Sequence, residues 1–445
     1  MKEKMKFSKK FAFGLGDFGG NFCFSFLSSF ALIYFTDIAG ANVGAIATLL
    51  LVAKCFDGVT DFVMGNLIDK THSKMGKARP WLFWSAFPLA IALIMLFNVS
   101  SGLSATGKNI YIFIFYVLTC AFFYTANNIS YNALTSLVTD NPEDRVSMGS
   151  IRFMLTAVAG IIIGSFTTVL VSVFGSGQKG WTVVSILYAV IFLVCTMFTV
   201  FSLKEMKQTN TEEAKKEAEN HKLEESVKIL LTNRYFLLVF FIFLVMYIFT
   251  GATGSAGIYY ATYLLGNANL YGLLSIAMMI PMFLSLIFAP AITKKLGMQK
   301  MGITAGILFA AGSLVTCLGG TAVPVLMAGI VIRSLGMGPV SALLFTLVAE
   351  VSDNITLKKG VNIEGMTYSC SSIGIKVGTG LGTSMVGWLL AAGHYNGKAA
   401  TQAASALTMI KVSYLVIPVV VGILLVMCFL FMNVESENRR LRERD

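Results

Sequence analysis

Val43-Gly44-Ala45-Ile46-Ala47-Thr48-Leu49-Leu50-Leu51-Val52-Ala53-Lys54-Cys55-Phe56-Asp57-Gly58-Val59-Thr60-Asp61-Phe62-Val63-Met64 is apolar enough to cross a bilayer, yet it carries one amine and two carboxylates. At about 100° per residue, Lys54, Asp57 and Asp61 fall within an arc of roughly 60° on one helix face. Each charge turned toward lipid would cost at least about 2.5 kcal/mol, so the stripe is expected to face a watered, protein-lined pathway. Two acids one turn apart, with about 6 Å of rise between their Cα atoms, can share a small cation or a proton. The stretch reads as the coupling site of a transporter.

The rest of the chain fits that setting. Its 445 residues are 56% hydrophobic and only 13% charged, with a mean hydropathy of +0.75, whereas about a quarter of the residues of soluble domains are charged. Segments long enough to span are predicted at 13–36, 43–67, 80–100, 110–138, 148–173, 181–203, 234–265, 270–293, 302–319, 324–350, 364–392 and 408–432, about twelve transmembrane helices in an all-α polytopic membrane protein. With both termini cytoplasmic, the loop lysines and arginines gather on the inner side and only Lys108, Lys179 and Lys398 lie outside. That asymmetry expects the cell membrane, an even number of spans and both ends inside. It also accounts for the net charge of +11 as topology and attraction to membrane lipid, leaving no nucleic-acid partner to invoke.

Other chemistries find little support. All seven cysteines, Cys23, Cys55, Cys120, Cys195, Cys317, Cys370 and Cys428, lie in apolar spans without a CxxC pair, as packing residues do. His72, His221 and His394 fall in predicted loops, so no intramembrane histidine relay is expected. Gly14-Leu15-Gly16-Asp17-Phe18-Gly19 satisfies a dinucleotide-binding pattern, but no strand precedes it and it opens a membrane helix. The lysine-rich start leads into an uncleaved first helix, because Asp17 interrupts the apolar run and the span is too long for a signal peptide. No metal or nucleophile cluster suggests an enzyme.

One long polar segment, 204–233, divides the chain. The expected organisation is an N-terminal six-helix bundle at 1–203, a cytoplasmic central loop at 204–233, and a C-terminal six-helix bundle with a cytoplasmic tail at 234–445. A weak repeat supports two halves. Gly65 to Pro80 follows the second span and Pro290 to Gly297 follows the eighth, each a short basic loop with a glycine at the corresponding turn.

Further polar residues lie at membrane depth: Asp17, Asn127, Asn128, Asn132, Arg152, Arg333, Glu350 and Lys376. A carboxylate accepts and a guanidinium donates in a fork, the combination that grips vicinal hydroxyls, so Asp17 and Arg152 are candidate sugar-binding groups, with a structural salt bridge as the alternative. Asn128 and Asn132, one turn apart, add donors and acceptors. Phe18, Tyr34, Tyr124 and Tyr131 could stack on a pyranose. Arg333 and Glu350 lie nearer span ends and are expected to snorkel or to form a gate pair. Asp37 is expected to cap or position a loop, and Lys54 could neutralise Asp57 and Asp61.

The residues Gly16-Asp17-Phe18-Gly19, Tyr34-Phe35-Thr36-Asp37, Asp57 with Asp61, Asp69-Lys70 through Met75-Gly76-Lys77-Ala78-Arg79-Pro80-Trp81, Arg152-Phe153, Glu350-Val351-Ser352-Asp353, Lys358, Gly360, Glu364-Gly365, Tyr368-Ser369 and Lys376-Val377-Gly378 resemble, in order, the glycoside–pentoside–hexuronide:cation symporter family of the major facilitator superfamily. The resemblance implies a two-bundle fold, alternating access, and sugar uptake coupled to Na⁺, Li⁺ or H⁺, with no cofactor. It implies that Asp57 and Asp61 hold the cation with Thr60 and Thr125 as further oxygen ligands, and that Asp17 and Arg152 bind sugar beside Asn128 and Asn132. Lys54, Lys376, Glu350 and Asp353 are assigned to coupling or gating. Departures from the family pattern are Asn128 in place of an acid, Asn132 in place of an aromatic, Gly16 in place of lysine and Thr60 in place of asparagine. Alternative functions are a sodium-coupled lysolipid-type carrier and an uncoupled sugar facilitator.

Overall fold

Hydropathy alone locates the helices. In a computed structural model describing residues 5–139, 141–206, 223–361, 364–399 and 401–443, twelve helices among the described residues are long and apolar enough to cross a membrane: Phe7–Ile38, Val43–Gly65, Arg79–Leu96, Ala105–Thr135, Ser147–Val173, Gly177–Ser202, Arg234–Leu264, Leu270–Leu296, Met298–Gly319, Val323–Lys359, Ile373–Ala392 and Ala404–Arg442. They are numbered first to twelfth below. No strand occurs among the described residues. Residues 207–222 of the expected central loop lie outside the description, as do the side chains of Asp69, Glu364, Tyr368 and Ser369.

Helix ends obey local chemistry. The Asn42 carboxamide oxygen accepts from the Ala45 N–H at 3.0 Å and caps the second helix, which continues to Lys70. The tenth helix runs well past its expected end at 350, to Lys359, and stops where Gly360 turns left-handed at φ +67°. Hydropathy missed this extension because its last two turns are polar. Large apolar residues stay exposed along most of these helices, Val173, Ile287 and Leu318 among them at 72%, 71% and 86%, as a surface solvated by lipid allows.

Two compact units emerge, one built mainly on the first half of the sequence and one on the second. The first comprises 1–209, 257–275 and 383–409; the second comprises 210–256, 276–382 and 410–445. One end of each of the seventh, eighth, eleventh and twelfth helices therefore packs with first-half helices inside the first unit.

The structure adds two repeats that the sequence reading did not see. Wide turns close the first and seventh helices at Tyr34–Ile38 and Tyr260–Leu264, where Ala39 and Leu265 donate back five residues to Tyr34 and Tyr260 at 2.9 and 3.1 Å. Their sequences, Tyr34-Phe35-Thr36-Asp37-Ile38 and Tyr260-Ala261-Thr262-Tyr263-Leu264, match at Tyr and Thr. Within the first unit the two meet, since Tyr263 donates to Asp37 at 2.6 Å and Tyr395 donates to its other oxygen at 2.6 Å. Asp37 thus positions a loop, its backbone pressed against Gly397, where a Cβ would come within 2.7 Å of the carboxylate.

The second repeat involves one carboxylate in each unit. Glu205, just past the sixth helix, accepts from the Lys77, Ala78 and Arg79 N–H groups at 2.7, 3.0 and 2.8 Å. Glu435, in the polar last segment Val434–Arg442 of the twelfth, just past its apolar part ending at Phe431, accepts from the Met298 N–H at 2.8 Å. Each places an anion at a helix N-terminus, where orphan amides and the dipole favour it. Gly76 at φ +110° and Gly297 at φ +77° make the turns, and a Cβ on Gly76 would meet the Glu205 carboxylate at 2.4 Å.

Candidate functional site

Close packing in the first unit brings polar residues of four helices together. A Cβ on Gly16 would lie 2.5 Å from the Tyr131 ring. This bare backbone lets Tyr131 stack on Phe13 with ring centroids 4.7 Å apart and donate to the Phe13 carbonyl at 2.8 Å. Tyr131 in turn carries the Arg152 guanidinium 5.0 Å above its ring. A lysine ahead of Asp17 has no room here, which explains that departure from the family pattern.

Arg152 is the hub. Its Nε and Nη2 donate to the two oxygens of Asp17 at 3.0 and 3.3 Å, and Nη1 donates to Asn132 Oδ1 at 2.8 Å. Asp17 also accepts from the Thr156 hydroxyl at 2.6 Å. Asn132 donates to Asn128 at 3.0 Å, and Asn128 donates to the Tyr124 hydroxyl at 3.5 Å. The pair is only partly screened from its surroundings, with 29% of the Arg152 side chain and 13% of that of Asp17 exposed. Charge complementarity explains its survival at membrane depth: either group alone would stand as an uncompensated charge in a medium of low dielectric. The expected substrate residues Asp17, Asn128, Asn132 and Arg152 therefore share one hydrogen-bonded cluster.

A second cluster adjoins it through aromatic rings. The Thr125 hydroxyl donates to Asp57 Oδ1 at 2.5 Å, and the Lys54 ammonium lies 3.7 Å from Asp57 Oδ2. Asp57 is buried, and Asp61 follows one turn later, half-buried on the same helix. Thr60 donates to its own helix, to the Phe56 and Asp57 carbonyls at 3.1 Å each, leaving oxygen lone pairs. Lys54 also sits 5.7 Å from the Phe24 ring centroid, and Phe24 stacks on Tyr124 at 5.6 Å. A continuous series of contacts joins Thr125, Asp57, Lys54, Phe24, Tyr124, Asn128, Asn132, Arg152, Asp17 and Thr156.

These donors are hard oxygens on one or two carboxylates and hydroxyls, suited to a monovalent ion or a proton. Among the described residues no three His, Cys, Asp or Glu gather as a metal cluster would require.

A family model described as MFS/sugar transport protein matches residues 12–436. The chain belongs to this family. The isoprimeverose transporter of Lactiplantibacillus pentosus is 29% identical over 441 residues, covering 98% of this chain and 90% of its own. The glucuronide carrier protein homolog of Escherichia coli (strain K12) is 26% identical over 407 residues, covering 89% and 86%. The crystal structure of a D-xylose-proton symporter superposes with a TM-score of 0.66 at 14% identity, covering 96% of this chain and 97% of that one, which shows the major facilitator fold. Membership makes the chain an integral membrane transporter, not an enzyme. Sugar–cation symport is the activity supported by this membership together with relatives such as a putative glycoside/cation symporter of Escherichia coli (strain K12), 28% identical over 427 residues, covering 92% of this chain and 88% of its own.

Within this MFS sugar transporter the other expected coupling residues belong to the chain's second unit. Lys376 is half-buried in the helix Glu364–Ala392. Glu350 accepts from Asn438 through both its carbonyl and its carboxylate at 2.8 Å, and Asp353 pairs with Arg442 at 2.5 Å. Both acids thus anchor the terminal helix Val434–Arg442. Arg333 corrects an expectation. It does not snorkel: it is 1% exposed, with its guanidinium 5.1 Å over the Phe249 ring. Seventeen residues along one helix, about 25 Å, also keep it from pairing with Glu350.

Four participants escaped the sequence reading: Phe24, Thr156, Glu205 and Glu435. Thr156 carried a signal, standing one turn after Arg152 on the same face. The others did not, because an aromatic in an apolar span and an acid in a loop are ordinary.

Proposed function

We propose that the chain takes up a sugar from outside the cell together with Na⁺, Li⁺ or H⁺ by alternating access, with the sugar held by Asp17, Asn128, Asn132 and Arg152 and the cation by Asp57 and Asp61 with Thr60 and Thr125. The unbroken series from Thr125 and Asp57 to Asp17 and Thr156 carries this reading. Sugar hydroxyls would exchange with the Asn132 and Thr156 contacts of the central pair, accepting from Arg152 and donating to Asp17.

A cation at Asp57 displaces the Lys54 ammonium, which withdraws toward Phe24 and presses the ring against Tyr124. The Tyr124 hydroxyl holds Asn128, so cation occupancy is felt at the sugar groups, and sugar occupancy at the cation by the same free energy. A half-loaded carrier retains an uncompensated charge and reorients slowly. With the termini cytoplasmic and the protein in the cell membrane, an inward cation supplies about 2.3 kcal/mol per charge per 100 mV. Glucuronide, isoprimeverose and related glycosides are the sugars to try first. Uptake into proteoliposomes, with Na⁺ and pH gradients imposed separately, tests the reading: an Asp57→Asn variant that concentrates sugar as wild type does would refute the cation assignment.

The Lys54 ammonium favours one second reading. Since it already lies 3.7 Å from Asp57, it could serve as a permanent tethered cation and leave the protein an uncoupled sugar facilitator. Lys54→Gln then separates the two, creating cation dependence in a facilitator and only tuning cation affinity in a symporter.

A further inference from the structure

At one end of the second unit, two concavities share Arg234 and Asn433. One, of about 320 Å³, is polar and lined by Arg234, Asn433, Ser436, Glu437, Arg440 and Leu441. The other, of about 410 Å³, is largely apolar and lined by Arg234, Leu238, Leu430, Phe431 and Asn433.

Charge and depth match across the pair. Leu430 and Phe431, 54% and 66% exposed, end the last apolar helix, and the polar helix Val434–Arg442 begins three residues later. The boundary between the concavities is therefore the level at which hydrocarbon gives way to headgroups. Leu238 stands one turn after Arg234, so the guanidinium lies directly beyond an apolar wall. The single acid of the polar concavity is already engaged: Glu437 pairs with Lys358 at 2.6 Å and with Arg234 Nη2 at 2.9 Å, and it accepts from Tyr235. Those bonds use only Nη2 of Arg234. Arg440 is exposed and has no ion pair among the described residues. Guanidinium donors remain on the polar side, and a bare apolar groove continues from them.

We infer that this is a binding site for an anionic phospholipid, its phosphodiester held by Arg234 and Arg440 and an acyl chain lying along Leu238, Leu430 and Phe431. Forked guanidinium donors suit phosphate oxygens, and basic pockets at helix ends recognise acidic headgroups. Bound there, the lipid bridges the start of the seventh helix to the apolar part of the twelfth ending at Phe431 and to its polar segment Val434–Arg442. The inference is independent of which sugar or cation is carried.

The test offers the full-length carrier, stripped of lipid in neutral detergent, either phosphatidylglycerol or phosphatidylcholine, and counts retained lipids by native mass spectrometry. Wild type is expected to retain phosphatidylglycerol preferentially. Arg440→Gln should lower that retention about fivefold, and Arg234→Gln with Arg440→Gln should bring it to the phosphatidylcholine level. Lys294→Gln with Lys295→Gln, removing basic residues elsewhere, should retain phosphatidylglycerol as wild type does. Arg440→Gln breaks no ion pair, so it keeps the test decisive if the double variant misfolds. Equal retention of the two lipids, or undiminished phosphatidylglycerol on Arg440→Gln, overturns the inference. Displacement of the lipid by millimolar glycerol 3-phosphate would also overturn it, in favour of a soluble-anion site.

Discussion

The two compact units treat ionisable groups at membrane depth in opposite ways. In the first, Asp17, Arg152, Lys54 and Asp57 form a partly exposed relay with neutral amides, hydroxyls and rings between them. In the second, Arg333 is sealed, its guanidinium beside Tyr414 and over the Phe249 ring, with no hydrogen bond of ordinary geometry to its nitrogens among the described residues. Lys358 and Arg234 pair with Glu437, Arg442 with Asp353 and Arg439 with Glu435, all at one end of that unit. Ligand chemistry at membrane depth is thereby confined to the first unit. A charge can bind a passing solute only if its partners are exchangeable and reachable, as those of Arg152 are and those of Arg333 are not.

The largest effect should come from breaking the central pair. Arg152→Gln or Asp17→Asn leaves its former partner uncompensated, and sugar uptake should fall about 100-fold or more in kcat/KM. Initial rates in proteoliposomes measure this, and wild-type rates would remove the basis for assigning substrate binding to the first unit.

Next in size is Asp57→Asn, expected to lose accumulation against a gradient while retaining sugar exchange at equal concentrations, because the sugar groups stay intact. Counterflow and gradient-driven uptake, compared on one preparation, distinguish the two. Loss of both would make Asp57 structural.

Phe24→Ala sharpens the relay itself. Cation and sugar should each still bind, but the factor by which one improves the affinity of the other should shrink by about fivefold, a coupling loss of about 1 kcal/mol. Calorimetric titration of sugar with and without the cation reads that factor, and an unchanged factor would show that the coupling bypasses the ring.

On the other side of the comparison, Arg333→Met should leave transport intact and raise the melting temperature or leave it unchanged, since an apolar residue of similar length replaces a fully buried charge with no acidic partner among the described residues. Should transport collapse while the fold persists, the contrast between the units would be wrong. The smallest effects are expected from Glu205→Gln and Glu435→Gln, about 1 kcal/mol of stability each, as befits a lost anion at a helix N-terminus. Thermal unfolding of the two variants side by side also tests whether the repeated turn is energetically equivalent in both units.

Much of the site is legible in the amino-acid sequence. The stripe of Lys54, Asp57 and Asp61 announced an interior site because the cost of a charge in lipid leaves no other reading. Asp17 and Arg152 are recognisable by type as a sugar clamp, with a structural bridge as the alternative, and the geometry shows that they do pair. Arg333 misled because sequence position along a span says nothing about which side chains pack over it. Phe24 was invisible because its role depends on two neighbours from different helices.

The amino-acid sequence by itself determined the number of crossings and the residues that must avoid lipid. A bilayer offers no hydrogen bonds to the backbone and strongly penalises charge, so helix formation and burial follow from composition over each twenty-residue window. Only the tertiary structure decided that Asp17, Asn132 and Arg152 meet, that Tyr34–Ile38 faces its own repeat, and that Glu205 and Glu435 close the glycine turns. Those contacts span from about twenty to more than two hundred residues of chain. They depend on helix rotation and on close approach at positions such as Gly16, which no local periodicity encodes.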